Sequence, residues 1–193
     1  MIEIRLGSAE DADAIAHVRR ESWFAAYEGI IAAPVIDRAT APGAVPVAPP
    51  PYRRTMVAVG GARPAIVGYA SFGPERIVAT AFPSPPSPDD GRPAPAGDLT
   101  PGGRAGHVAE LYALYVTPAW WSTGTGRSLM GAALAALEAA GYQRAVLWVL
   151  AANNRARRFY ERAGFTTDGE SNILAGLGGV LEVRYARPLA AIH

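Results

Sequence analysis

Residues Leu111 to Met130 read LYALYVTPAWWSTGTGRSLM, and this stretch decides the fold. An apolar strand runs into a Pro-Ala-Trp-Trp turn, then a small-residue loop around Gly124 and Gly126, then the start of a helix. Strand, glycine loop and helix N-terminus in that order make an anion site. The first helical amides have no intrahelical acceptor, and the helix dipole adds partial positive charge. Gly124 and Gly126 leave room for a phosphate to approach the backbone, and Ser122, Thr123 and Thr125 add hydroxyl donors. A lone Gly-x-Gly would read equally well as an ordinary strand-to-helix connection. The rest of the chain decides.

With 193 residues, half of them hydrophobic and 18% charged, the chain reads as one domain, 1–193, with a sizeable core. A net charge of +1 gives no electrostatic case for nucleic acid. Every basic residue is arginine. There is no cysteine, so disulfides, thiol nucleophiles and thiolate metal sites are excluded. His17, His107 and His193 are too scattered to predict a metal site. Neither a leader nor a membrane-spanning run is expected, which makes the cytoplasm the expected compartment.

Outward from the central stretch, Ile2, Ile4 and Leu6 alternate with charged residues as a first strand. Ser8 with Asp11 predicts a capping box, and the helix after it runs to Tyr27. Residues 30–36 suggest a short second helix or turn. Arg53 to Val59 and Ala65 to Phe72 read as a hairpin around Gly60-Gly61. Two proline-rich insertions are expected, at about 42–51 and 83–104, the second as a long loop without hydrophobic period. After the glycine loop come a helix ending at Gly141, a strand at Arg144 to Leu150, a helix capped by Asn153 or Asn154, and a last strand from Val180 to Arg187. The expected architecture is α/β: a central mixed, mostly antiparallel twisted sheet with helices on both faces.

Two motifs in order carry a family resemblance. The first is Leu114-Tyr115-Val116-Thr117-Pro118 followed by Gly124-x-Gly126. The second is Asn153-x-Arg155-Ala156 followed by Phe159-Tyr160-Glu161-Arg162-Ala163-Gly164-Phe165. Together they resemble the GCN5-related N-acetyltransferase (GNAT) family. The resemblance covers most of the chain outside the proline-rich insertions. Two positions depart from the family pattern: its leading Arg or Gln is Trp121 here, and the glycine that commonly follows is Ser122.

The resemblance implies the GNAT fold and transfer of an acetyl group from acetyl-CoA to a primary amine, with no metal. It implies that coenzyme A is bound by Ser122, Thr123, Gly124, Thr125, Gly126 and Arg127, with its pantetheine arm along Leu114 to Val116 and Asn153 as a further contact. On the residues alone Asn153 reads equally well as a helix cap. The Leu114 amide is a candidate oxyanion donor. Tyr160 becomes the acid that protonates the departing thiolate, since a phenol of pKa about 10 suits that leaving group. Deprotonating a lysine-like amine near neutral pH costs roughly 4–5 kcal/mol. Glu110 is the candidate base, and even spacing predicts that it shares a face with Tyr112, Leu114 and Val116. Trp23, Phe24 and Tyr27, with residues near Tyr52, are expected to shape the pocket for a small-molecule or peptide amine. No nucleic acid or membrane partner is expected, and a homodimer is open. Trp121 and Ser122 leave a second reading, an acyl-CoA-binding sensor that transfers little. A nucleotide-phosphate binder ranks third, because the loop lacks the Gly-Lys-Ser/Thr ending of a P-loop.

Overall fold

The computed structural model describes residues 2–41, 52–76 and 108–190. The expected insertions at 42–51 and 83–104 lie outside the described residues. The elements run β1 (Ile2–Leu6), α1 (Ala12–Tyr27), α2 (Ala33–Thr40), β2 (Arg54–Gly60), β3 (Ala65–Pro74), β4 (Val108–Val116), α3 (Thr125–Ala139), β5 (Arg144–Leu150), α4 (Asn154–Arg162), β6 (Thr166–Leu174) and β7 (Val180–Pro188). The strands form one seven-stranded sheet in the order β1-β2-β3-β4-β5-β7-β6. Only β4 and β5 pair in parallel, as a strand-helix-strand crossover requires. The mixed, mostly antiparallel sheet expected from the sequence is what the chain forms.

One face of the sheet carries α3 and α4 over the main core, which holds Leu129, Ala133 and Leu137 of α3 and Tyr160 of α4. The other face carries α1 and α2, whose Val18, Trp23 and Ile36, with Ile31 from the turn between them, anchor two smaller clusters. Ser8 and Asp11 form the expected capping box before α1, and Arg5 locks Asp11 with two bonds of 2.7 and 2.8 Å.

Two features depart from the sequence expectation. Strand β6, TTDGESNIL, escaped notice because it is a solvent-washed edge with no apolar alternation. Its register with β7 also breaks between Thr167 and Ser171. The second departure is a bulge in β4. Ser71 pairs with Ala113 but Phe72 with Leu111, so Tyr112 is the extra residue. The bulge reverses the inside-outside alternation. Ala109 and Leu111 before it and Leu114 and Val116 after it all face the main core, whereas Ala113 and Tyr115 face α1. Glu110 therefore lies on the α1 face, opposite Leu114 and Val116, and the shared face predicted from even spacing does not exist.

Candidate active site

The sheet opens in its middle. Strand β4 pairs with β5 only from Val108 to Leu111 against Arg144 to Leu147. Beyond that point β5 continues beside β7 and β4 continues beside β3, so Tyr112–Val116 has no partner on the β5 side. The bulge at Tyr112 supplies the bend that separates the strands. The end of β4 is held in place through the Val116 carbonyl, which accepts from Ser22 Oγ of α1 at 3.0 Å and from Trp121 Nε1 at 2.6 Å.

The loop that follows turns sharply. Ser122 has φ of 62° and Gly124 has φ of 93°, so two left-handed residues alternate with Thr123. Such alternation curls successive amides into an anion-binding concavity, at a cost of about 1–2 kcal/mol for the non-glycine residue. Among the described residues no acceptor meets the amides of 122–127; the first helical bond of α3 runs from the Ser128 amide to the Gly124 carbonyl at 3.0 Å. Two of the expected hydroxyl donors serve the loop itself. Thr123 Oγ1 donates to the Trp120 carbonyl at 2.8 Å, and Thr125, fully buried, donates to Thr123 Oγ1 at 2.8 Å. The two glycines also differ in role. A Cβ at Gly124 would meet nothing within 4 Å, so that side of the loop is open. At Gly126 it would lie 3.4 Å from the Phe159 ring, so this glycine lets α3 pack on α4.

Asn153 caps α4, its Oδ1 accepting from the Ala156 amide at 3.1 Å. One turn on, Tyr160 is 9% exposed and packs edge-on against Phe159 and Phe165. Burial pushes its phenol pKa well up, and the neighbouring Tyr115 phenol pushes it further. Tyr160 belongs to the main core, whereas Tyr115 packs with the clusters on the α1 side. Tyr27 Oη lies 3.3 Å from Tyr115 Oη, and burial raises both pKa values. Trp23 is in edge contact with Tyr27 and tilts against the Tyr115 ring. Phe24 packs on the same cluster as Trp23, Tyr27 and Tyr115. It lies beneath the Arg20 guanidinium and lines a shallow hollow of about 450 Å³ between α1 and α2 that includes no residue of β4, the loop or α4.

Glu110 is 1% exposed and clasped by Arg76. The Arg76 amide donates to Oε2 at 3.0 Å, Nε reaches both oxygens at 3.1 Å, and Nη2 donates to Oε1. Both carboxylate oxygens are thus already met by Arg76 donors. A polar patch that sequence reasoning missed shares this face. Glu182 of β7 accepts from Asn172 at 3.1 Å, and burial raises its carboxyl pKa, countered by Asn172 and Arg76. Arg184 bridges Glu75 and Asp168 and reaches over Trp148. The signal was present in the alternation Glu182, Arg184 along the last strand, but the Glu75 partner of Arg184 lies 109 positions away in sequence.

Residues 47–165 match the family described as Acetyltransferase (GNAT) family. The chain belongs to the acetyltransferase (GNAT) family. It is 42% identical over 64 residues to a mycothiol acetyltransferase of Thermobispora bispora, and 46% over 59 residues to one of Beutenbergia cavernae. These matches cover 33% and 31% of this chain but only 22% and 20% of those relatives, so the chain aligns with about a fifth of their length. Among solved structures, PaiA N-acetyltransferase from Thermoplasma acidophilum in complex with coenzyme A superposes with a TM-score of 0.65 at 20% identity, covering 95% of this chain and 98% of that one. The fold is shared with N-acetyltransferases across the whole described chain. Among the described residues no helix is long and apolar enough to cross a membrane, and no cluster of His, Asp and Glu could hold a metal ion.

Proposed function

We propose that this chain transfers an acetyl group from acetyl-CoA to a primary amine. The observation that carries this reading is the gap between β4 and β5, with the amides of residues 122–127, which meet no acceptor among the described residues, at one end. The pyrophosphate of coenzyme A fits the curled amides of Ser122 to Arg127. The pantetheine arm fits along Leu114 to Val116, where β4 lacks a neighbour, as an added strand would. The Leu114 amide is the proposed oxyanion donor.

The amine nitrogen attacks the thioester carbonyl carbon, the C–S bond breaks, and the departing thiolate takes a proton from Tyr160. Burial keeps that phenol protonated through the neutral range, as an acid requires. In this reading Asn153 shapes the site by starting α4 where Tyr160 will reach the gap. Glu110 contributes by holding Arg76 against the start of β4. The amine's proton leaves through solvent on the α1 face. Trp23, Phe24 and Tyr27, which pack in one cluster, shape the acceptor side in this reading. The short relatives' match supports acetyl transfer and carries no identity for the acceptor.

A coupled assay for free coenzyme A release over a panel of small-molecule and peptide amines tests the reading. Acetyl-CoA binding without release to any amine would favour the sensor reading, in which Trp121 and Ser122 mark a chain that binds and does not transfer.

A further inference from the structure

Among the described residues, Glu182 is left out of the ion pairs that cross the α1 face of the sheet. Its neighbours on β7, Val183 and Tyr185, pack on the main core, so Glu182 and Arg184 point to the α1 side. There Arg76 is held by Glu110, and Arg184 by Glu75 and Asp168. Arg19 lies over Trp23 and Arg53 over Tyr112, and neither pairs with Glu182. Burial raises the Glu182 carboxyl pKa, and the charged groups that act on it, Arg76 and Glu110, are a pair. Its one bond comes from the neutral amide of Asn172, which donates to Oε1 at 3.1 Å. A half-buried carboxylate in this state carries a charge that a cation would stabilise.

Its level along the strands matters as much. Leu111 pairs with Leu147 where the gap between β4 and β5 begins. Three residues further along each strand stand Leu114 and Leu150, and Leu150 pairs with Glu182. Allowing for the residue extruded at Tyr112, Glu182 stands level with the proposed oxyanion donor. Leu150 packs with Trp23, Phe24, Tyr27 and Tyr115, so an aromatic wall adjoins the carboxylate.

We propose that Glu182 is the counter-ion of the acceptor's amino group, and that the acceptor is an amine on an apolar skeleton with no carboxylate beside its nitrogen. The inference rests on the acetyl-transfer reading above and names the substrate class for the same site. The ammonium pairs with Glu182 while its carbon skeleton lies on the aromatic wall, whose ring faces attract the cation as well. An α-carboxylate would arrive with the nitrogen and meet Glu182 as a like charge, beside arginines already committed to other acids. The N–H proton then leaves through solvent on the same face, as above.

The test compares phenethylamine with phenylalanine and pentylamine with norleucine, each amino acid being its amine with an added α-carboxylate. Coenzyme A release is followed with the unaltered full chain and with Glu182→Gln, which keeps the shape and removes the charge. The unaltered chain should use each amine at least about tenfold better in kcat/KM than its amino acid, and added salt should raise the KM of the amines. Phenethyl alcohol, which lacks the charge, should not compete with phenethylamine. Glu182→Gln should raise the KM of the amines by about tenfold to a hundredfold, with turnover at saturation nearly unchanged, and should narrow the preference over the amino acids. Its melting temperature and acetyl-CoA affinity should match those of the unaltered chain. Equal use of amines and amino acids by the unaltered chain would overturn the proposal, whether or not the variant folds. A folded Glu182→Gln that keeps the preference, or loses turnover at unchanged KM, would overturn it as well, since a counter-ion acts on binding. If the unaltered chain acetylates other amines but neither of these, the acceptor class is wrong and the acetyl-transfer reading stands. If calorimetry shows no binding of acetyl-CoA, that reading falls and takes the proposal with it.

Discussion

The carboxylate of Glu110, almost without solvent exposure, is held by the backbone amide and guanidinium of Arg76, whose side chain is half exposed. The Arg76 guanidinium also covers the Tyr112 ring, at 5.0 Å from its centroid, so one side chain ties the end of β3 to the bulge in β4. Removing one partner of such a pair leaves the other charge buried without compensation, which is worse than removing both. Arg76→Ala should therefore destabilise the fold by about 2–4 kcal/mol in chemical denaturation. The Arg76→Ala/Glu110→Gln double variant should recover at least about 1 kcal/mol of that loss. Purely additive losses in the double variant would mean that the clasp carries no coupling.

The same pair shows what sequence reasoning could reach and where it stopped. Glu110 stood out as an acid opening the central strand, and the motifs around Gly124 and Tyr160 located the loop and α4 correctly. Strict alternation then failed at Tyr112, since nothing in ELYALYV signals that one residue will be extruded. Arg76 could not be found from the sequence, as it meets Glu110 from 34 positions away. Hydroxyls near a phosphate loop read as ligands, yet Thr123 and Thr125 spend their protons on the loop, a distinction that only the bond network makes. Strand β6 was illegible for a different reason: an edge strand with both faces wet carries no hydrophobic period to read.

Asp11 should make part of the stability depend on acid pH. The Arg5 guanidinium, with help from the Ser8 amide, holds its carboxyl well below the usual carboxylate range. A pKa lower in the folded than in the unfolded chain contributes stability that is complete above the unfolded value, about 4. That contribution is lost as pH falls towards the folded value. Asp11→Asn should thus melt at a lower temperature than the unaltered chain at pH 7, with the gap closing as pH drops below 4. A gap of constant size down to pH 2 would mean that the side chain acts through shape and not charge.

Gly124 and Gly131 should respond oppositely to the same substitution. Gly131 lies within α3, and a Cβ there meets nothing within 4 Å, so Gly131→Ala should stabilise the fold by about 0.5–1 kcal/mol. Gly124 is equally open, but its φ of 93° strains any other residue, and its open side is where a phosphate would approach. Gly124→Ala should therefore lower stability by about 1–2 kcal/mol and weaken coenzyme A binding at least tenfold. Thermal denaturation and calorimetry on the two variants check both halves. Unchanged coenzyme A affinity in folded Gly124→Ala would remove the loop from the binding site.

Tyr160 offers the sharpest separation of catalysis from structure. Among the described residues no hydrogen bond to its hydroxyl is formed, so Tyr160→Phe gives up no internal bond and keeps the ring packed against Phe159 and Phe165. Stability and acetyl-CoA affinity should survive within about 0.5 kcal/mol. Turnover should fall by roughly 10²–10⁴, the range for losing a positioned general acid. The pH profile adds a second criterion. Burial raises the phenol pKa, so the proposed acid stays protonated and the unaltered chain should hold its activity through pH 9 without an alkaline-side loss from this group. In the Phe variant the thiolate must take its proton from water. Full activity in Tyr160→Phe would return the residue to the core and leave the leaving group to solvent.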